Sequence, residues 1–153
     1  MEKTAGLFQL DWNWEITSLD LEGNILMKEK VHNLIVDEGL NMVRDLLGGF
    51  NSQGPVIGIA IGTGATAPVN GNTVLQSEFV RAASVNSSPA NFQVEYTYTF
   101  SFASGVSQVI TEAGLFDNAV SGGNMLARTT FSGQLVNHSI QLIVTAIITI
   151  SRV

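Results

Sequence analysis

Cysteine is missing from the chain, so neither disulfides nor thiolate chemistry is open to it, and the redox compartment stays open. Basic residues are few: seven Lys and Arg face 13 Asp and Glu, a net charge of −6. With no basic stripe to follow a phosphate backbone, nucleic acid is not an expected partner. Histidine occurs only at His32 and His138, each beside an Asn. A zinc site or a catalytic triad needs a second histidine or a carboxylate at ligand spacing, and neither histidine has one, so both are read as solvent-facing or strand-end residues. The most apolar stretch, Ile140 to Ile150, is interrupted by Gln141, Thr145 and Thr149. It falls far short of the ~20 residues that span a bilayer and is read as a buried strand, with no membrane partner expected. The amino-terminal MEKTAGLFQLDW lacks the basic region and apolar run of a signal peptide. Gly62-Thr63-Gly64 invites comparison with phosphate-binding loops. No third glycine of a dinucleotide fingerprint and no Lys-Ser/Thr of a P-loop follows, and Pro68 stands where a helix should begin, so a plain turn is expected. No serine has a nucleophile-elbow context. No metal, cofactor or catalytic site is predicted, and an enzyme is not expected.

What is present is alternation. From Phe92 to Phe102, Phe92, Val94, Tyr96, Tyr98, Phe100 and Phe102 are large and apolar or aromatic, and every residue between them is polar. Successive strand side chains point to opposite faces, so this predicts a long half-buried β-strand with an aromatic inner face and a second sheet over it. With 153 residues, 45% of them hydrophobic, one domain with a real core is expected. Charge is uneven along it. Residues 1–45 hold nine carboxylates against Lys3, Lys28, Lys30 and Arg44, while residues 46–153 hold four against Arg81, Arg128 and Arg152. The first third is the more solvated part.

Residues 1–11 carry no period and are read as an amino-terminal arm, ordered or not, ahead of a single β-rich domain over 12–153. Trp12, Trp14 and Ile16 alternate, and the phase then jumps to Leu19 and Leu21, which predicts a bulge near Thr17 and Ser18. Leu21-Glu22-Gly23-Asn24 supplies a hairpin turn into a return strand, Ile25 to Val31. Asp37 is a plausible N-cap, and Leu40, Val43, Leu46 and Leu47 share one face at helical spacing before Gly48-Gly49. One short amphipathic helix, Glu38 to Leu47, is predicted. Val56 to Ile61 and Phe79 to Ser84 read as strands, with loop between them and a turn-rich connection over Val85 to Asn91. Val109 to Phe116 pairs with the aromatic strand, and Ser121-Gly122-Gly123-Asn124 turns the backbone into Met125 to Phe131. The last strand, Ser139 to Val153, would reach about 50 Å if straight, against a diameter of about 40 Å for a globule of this length. It must bend or reach a neighbouring subunit. The fold class is mainly β: an antiparallel β-sandwich or barrel with one short α-helix at about 38–47.

Three charges sit in apolar β-segments, where an unpaired one would be costly. Glu112 with Arg81 or Arg128 is read as a buried structural ion pair rather than an acid–base couple, because catalysis needs a second polar group and a pocket, and these strands are filled with Ile, Leu and Phe. Trp12, Trp14, Tyr96 and Tyr98 could stack on sugars, although packing and subunit contact are the commoner uses.

In order, the segments are a hairpin tipped by LEGN, then HNLIVDEGLNMVRDLLGG, IAIGTGATAPVNGNTVLQSEFVR, the aromatic strand, ITEAGLF, MLAR and an apolar terminal strand. This series resembles small virion structural proteins of tailed bacteriophages over Trp14 to Val153, most of all capsid decoration proteins. The resemblance implies a homo-oligomer, a trimer, that binds the major capsid protein on the outside of the head shell and is assembled in the host cytoplasm. It would stabilise the shell by bridging capsid subunits through many weak contacts. Expected subunit and shell contacts are Leu7, Phe8, Trp12 and Trp14 in the arm, then the loop tips at Val69, Asn70, Asn86 and Ser87. Gly39, Gly62, Gly64 and Gly114 match the family-like motifs and are read as positions of backbone geometry. The alternatives are a baseplate or tail-fibre attachment protein and a host-glycan-binding adhesion module.

Overall fold

Alternating strands need two sheets facing one another, and that is the arrangement adopted. In the computed structural model, which describes residues 8–152, the order is β1 (Phe8–Asp20), β2 (Ile25–His32), β3 (Leu34–Ile35), α1 (Asp37–Gly48), β4 (Gly58–Gly62), β5 (Glu78–Ala83), β6 (Val85–Ser87), β7 (Gln93–Phe100), β8 (Ser107–Phe116), β9 (Met125–Asn137) and β10 (Ile140–Arg152). The strands form two five-stranded antiparallel sheets, β2-β1-β10-β7-β6 and β3-β9-β8-β4-β5. The protein is mainly β, a sandwich with one short helix. The backbone passes between the sheets at Asn33, at Ser84 and between β7 and β8, and the β9–β10 connection returns it to the first sheet.

The inner face of the first sheet is built from rows that the register makes complementary in size. Trp14 lies opposite Ala146, which lies opposite Tyr96; the next rows are Ile16, Val144 and Tyr98, then Ser18, Leu142 and Phe100. A small residue between two aromatic ones lets the layer close at core density. The second sheet contributes Ile59, Ile61, Ile110, Ala113 and Leu115 to the same core. Its outer face is covered too: Ala60, Leu75, Phe116, Met125 and Val36 form a second, smaller cluster. That explains why β4 and the end of β8 are buried on both sides.

Several expectations are corrected by this architecture. β1 begins at Phe8, not Trp12: Phe8 to Asp11 pair with Arg152 to Thr149, because β10 is long enough to give β1 a partner along its whole length. The described part of the expected arm is therefore strand, and Leu7 lies outside the described residues. Trp12 and Trp14 are 6% and 1% exposed, since the even phase of β1 faces the opposite sheet. Val85 to Ser87 form a short edge strand on β7 in what was expected to be a turn-rich connection. Phe92 does not join the aromatic face. β7 starts at Gln93, and Phe92 takes φ +64 and is largely exposed. The bulge does fall where the phase jump placed it, between Ser18 and Leu19.

The helix is the largest departure. Its N-cap is Val36, which has no polar side chain to offer, and Asp37 is instead its first residue, donating its backbone N–H to the Asn70 carbonyl at 2.8 Å. Its buried residues are Gly39, Met42 and Asp45, whereas Leu40, Leu46 and Leu47 point to solvent. The cause is Gly39. A Cβ there would collide with the Leu126 carbonyl oxygen, so α1 rests on the backbone of β9 by its glycine-bearing side. Leu40 and Leu47 lie about 80–100° round the helix from Gly39, Val43 packs against the core, and Leu46 in the last turn is exposed.

Candidate functional site

The strongest polar constellation lies on the outer face of the second sheet. Register places Glu78, Gly62 and Glu112 in one row across β5, β4 and β8. The neighbouring row holds Arg81, Ala60, Gly114 and, on β9, Arg128. Glu112 and Arg128 are 0% and 2% exposed. Arg128 donates from Nε to Glu112 Oε2 at 2.9 Å, and its Nη2 lies 2.9 Å from the same oxygen, completing the ion pair. Its remaining bonds go to Asn72 Oδ1 at 3.0 Å and the Thr66 carbonyl at 2.9 Å. The backbone N–H groups of Gly64 and Ser77 donate to Glu112 Oε1 at 3.0 and 2.7 Å, and that of Gln76 to Oε2 at 3.0 Å.

These bonds determine what the pair can do. A general acid or base needs an oxygen open to a substrate, and Glu112 is wholly buried with both oxygens occupied. The pair works instead as a clamp, tying the loop over 63–77 onto the sheet at both ends and in the middle. The glycines of the motif are explained by the clamp. A Cβ on Gly62 or Gly64 would lie 2.6 or 2.5 Å from Glu112 Oε1, and one on Gly114 would lie 2.9 Å from Leu75 Cδ2. None of the three has a positive φ, so their requirement is space for a close approach, not unusual backbone torsion.

Arg81 is not part of this pair. It sits on the far strand of its row and binds Glu78 in a fork, Nε to Oε1 at 3.0 Å and Nη2 to Oε2 at 2.7 Å. It also donates to the Asn118 and Gly122 carbonyls, and its guanidinium lies 3.6 Å from the centre of the Phe116 ring. Glu78 lies three positions before Arg81, and the nearer carboxylate takes the arginine.

The expected contact residues are scattered. Trp12 and Trp14 are spent in the core and present no surface. Phe8 is placed by its register with Arg152 at the outer end of the β1–β10 ribbon. Val69 and Asn70 are exposed in a turn closed by the Asn72 N–H on the Val69 carbonyl. Asn86 is engaged in the fold, donating Nδ2 to the Val56 carbonyl at 2.9 Å and accepting from Ser84 Oγ. Ser87 beside it is exposed on the edge strand. His32 and His138 are both exposed. Burial raises the Tyr96 hydroxyl above the usual tyrosine range and removes this ring, like the tryptophans, from any sugar-stacking surface. Tyr98 is half-buried beside Phe79, Phe100 and Phe102, which line a shallow groove of 340 Å³.

The residues that sequence reasoning missed as a surface are the leucines of α1. Leu40, Leu46, Leu47 and Phe50 are 54%, 46%, 80% and 55% exposed, and together they form an apolar strip along the helix and over its end. A second apolar group stands at the β1–β2 hairpin, where Leu21, Ile25, Leu26 and Met27 are all exposed. The signal for the first group was legible as helical spacing; which way the face pointed was not. Among the described residues no cluster of His, Asp or Glu is arranged to hold a metal ion. Compared with known protein families, curated proteins and solved structures, the protein finds no match in any of the three.

Proposed function

We propose that the protein is a virion structural protein of the tailed-phage type, a capsid decoration protein that binds the outside of the head shell as a homo-oligomer, a trimer, and braces neighbouring major capsid subunits. The observation that carries the reading is the inversion of polarity between the two faces just described: the buried charges are fully bonded, while the apolar strip of Leu40, Leu46, Leu47 and Phe50 is open. An apolar strip of that kind marks a surface for association. The Val69–Asn70 turn adjoins the start of the same helix, since the Asn70 carbonyl holds the first N–H of α1. These residues replace Trp12 and Trp14 as the contact set.

A standard stable interface takes ~20–30 residues a side, well above the size of this strip. A protein that works through such a patch gains from holding several partners at once, because linked weak contacts multiply. That is the demand a shell clamp meets, with each oligomer touching several capsid subunits. The test is to measure the mass of the protein in solution and then sediment it with bare heads and with tails. A trimer that saturates heads in many copies is the expected result. Sedimentation with tails in a few copies would move the assignment to the baseplate or fibre, and retention on a glycan array with no binding to either would make it an adhesin.

A further inference from the structure

We infer that Asn70-Gly71 is a self-modification site, at which the folded protein loses ammonia from Asn70 through a cyclic imide and so rewrites the turn that meets α1. The backbone nitrogen of Gly71 gives up its proton and attacks Asn70 Cγ. A new C–N bond closes a five-membered ring, and the bond from Cγ to Nδ2 breaks as ammonia leaves. Water then adds to one of the two ring carbonyls. Opening on one side leaves aspartate at position 70; opening on the other leaves an isoaspartyl link, with the backbone running through the former β-carbon. No oxidant or enzyme is needed, only solvent.

Three observations place the reaction here. Asn is followed by Gly only at this position in the sequence. Both residues are exposed, and the site for a Cβ on Gly71 is open, with nothing within 4 Å, so nothing crowds the attacking nitrogen. Neither the Asn70 side chain nor the Gly71 N–H has a hydrogen-bond partner among the described residues. Of the other exposed asparagines, Asn51 donates to Asp45, Asn86 to the Val56 carbonyl and Asn24 to Asp20, while Asn41 accepts from Arg44 and Asn118 from Val120 and Ser121. Asn91 also has no side-chain partner among the described residues, but Phe92 follows it, and a bulky side chain there crowds the attacking nitrogen as a glycine does not.

The position gives the change a consequence. The Asn70 carbonyl accepts from the Asp37 N–H at the start of α1, and Asn72, two residues on, joins Val69 N to Arg128 Nη1 through its Oδ1. An aspartate at position 70 adds negative charge beside a helix N-terminus and leaves the backbone unchanged. An isoaspartyl link takes the former Asn70 carbonyl out of the backbone as a free carboxylate and lengthens the main chain by one atom before Asn72, so the spacing that lets the Asp37 and Arg128 anchors be held together changes. Aging thereby loosens the turn against the helix.

The experiment is peptide mapping by mass spectrometry of the full-length folded protein held in mildly alkaline buffer. Wild type is compared with Gly71→Ala, which has room for its methyl group and an ordinary φ at that position. Position 70 is expected to deamidate ahead of every other asparagine, with isoaspartyl and aspartyl products separated by chromatography, and Gly71→Ala is expected to slow it by roughly tenfold. Equal rates at Asn70, Asn51 and Asn137 in wild type would overturn the inference, and so would an unchanged rate in a folded Gly71→Ala. If that variant does not fold, the ranking of sites in wild type decides alone.

Discussion

The clamp beneath the 63–77 loop and the surface of α1 are opposites in chemistry. Under the loop, a carboxylate and a guanidinium are sealed from water among Leu75, Phe116 and small residues. On the helix, three leucines and a phenylalanine face outward. The first arrangement holds because every charge is answered: Glu112 accepts from three backbone N–H groups as well as from Arg128, and Arg128 spends its other donors on Asn72 and Thr66. The second has no such answer among the described residues. Burial follows from which backbones can approach one another, and a glycine decides both cases. Gly64 admits the Glu112 carboxylate, and Gly39 admits the carbonyl of Leu126.

The largest effect should come from breaking the clamp on one side only. Arg128→Met leaves Glu112 charged and buried without its partner, and a loss of about 3–5 kcal/mol is expected in urea unfolding. Adding Glu112→Gln to that variant should recover part of the loss, because the charge is gone while an oxygen remains to accept from Gly64 and Ser77. If the double variant is no better than the single, the clamp is not electrostatic in the sense described. A smaller effect belongs to Gly64→Ala. Its Cβ would sit 2.5 Å from both Gln76 Cβ and Glu112 Oε1, so crowding of about 1–3 kcal/mol is expected. A neutral result would mean that the loop is held more loosely than the hydrogen bonds imply.

On the helix the same measurement should barely respond. Leu47→Asp, at the most exposed of the leucines, is expected to change stability by less than about 0.5 kcal/mol. A loss of several times that would show the strip to be covered by the protein itself.

The smallest effect concerns Asp45 at the end of α1. Its carboxyl is held below the usual range first by the Asn51 side chain and then by Arg44. A lowered folded-state pKa means the associated stability is present above the unfolded value, near ~3.9, and is lost as pH falls through the folded one. Asn51→Ala removes the larger cause, so its stability should fall less steeply than that of wild type over that acid range. Parallel pH profiles would assign the shift elsewhere.

Much of this fold was legible in the sequence. Period-two patterning and turn residues located the aromatic strand, the apolar terminal strand and the hairpins at Leu21–Asn24 and Ser121–Asn124. The expected pairing of Val109–Phe116 with the aromatic strand is not made: the two lie in different sheets, the aromatic strand beside β10 and β6 and its expected partner between β4 and β9. Phase alone told Trp12 and Trp14 to share a face, although the resemblance led them to be read as contacts. What patterning lacks is direction. Leu40, Val43, Leu46 and Leu47 lie on one side of a helix in either orientation, and only the contact of Gly39 with β9 says which side is in. Likewise the charges of Glu112, Arg81 and Arg128 announced burial with a partner. Whether Glu112 takes Arg81 or Arg128 depends on sheet register across three strands, and on Glu78 lying three residues from Arg81. No local spacing carries that information.

The claim that the α1 strip is the working surface is tested most directly by one binding measurement: titration of bare heads with wild type and with the Leu40→Asp/Leu47→Asp variant, after matched urea midpoints show that both are folded. The account predicts saturation by wild type and little or no retention of the variant. Equal saturation by the two proteins would contradict it and leave the exposed leucines without a role in assembly.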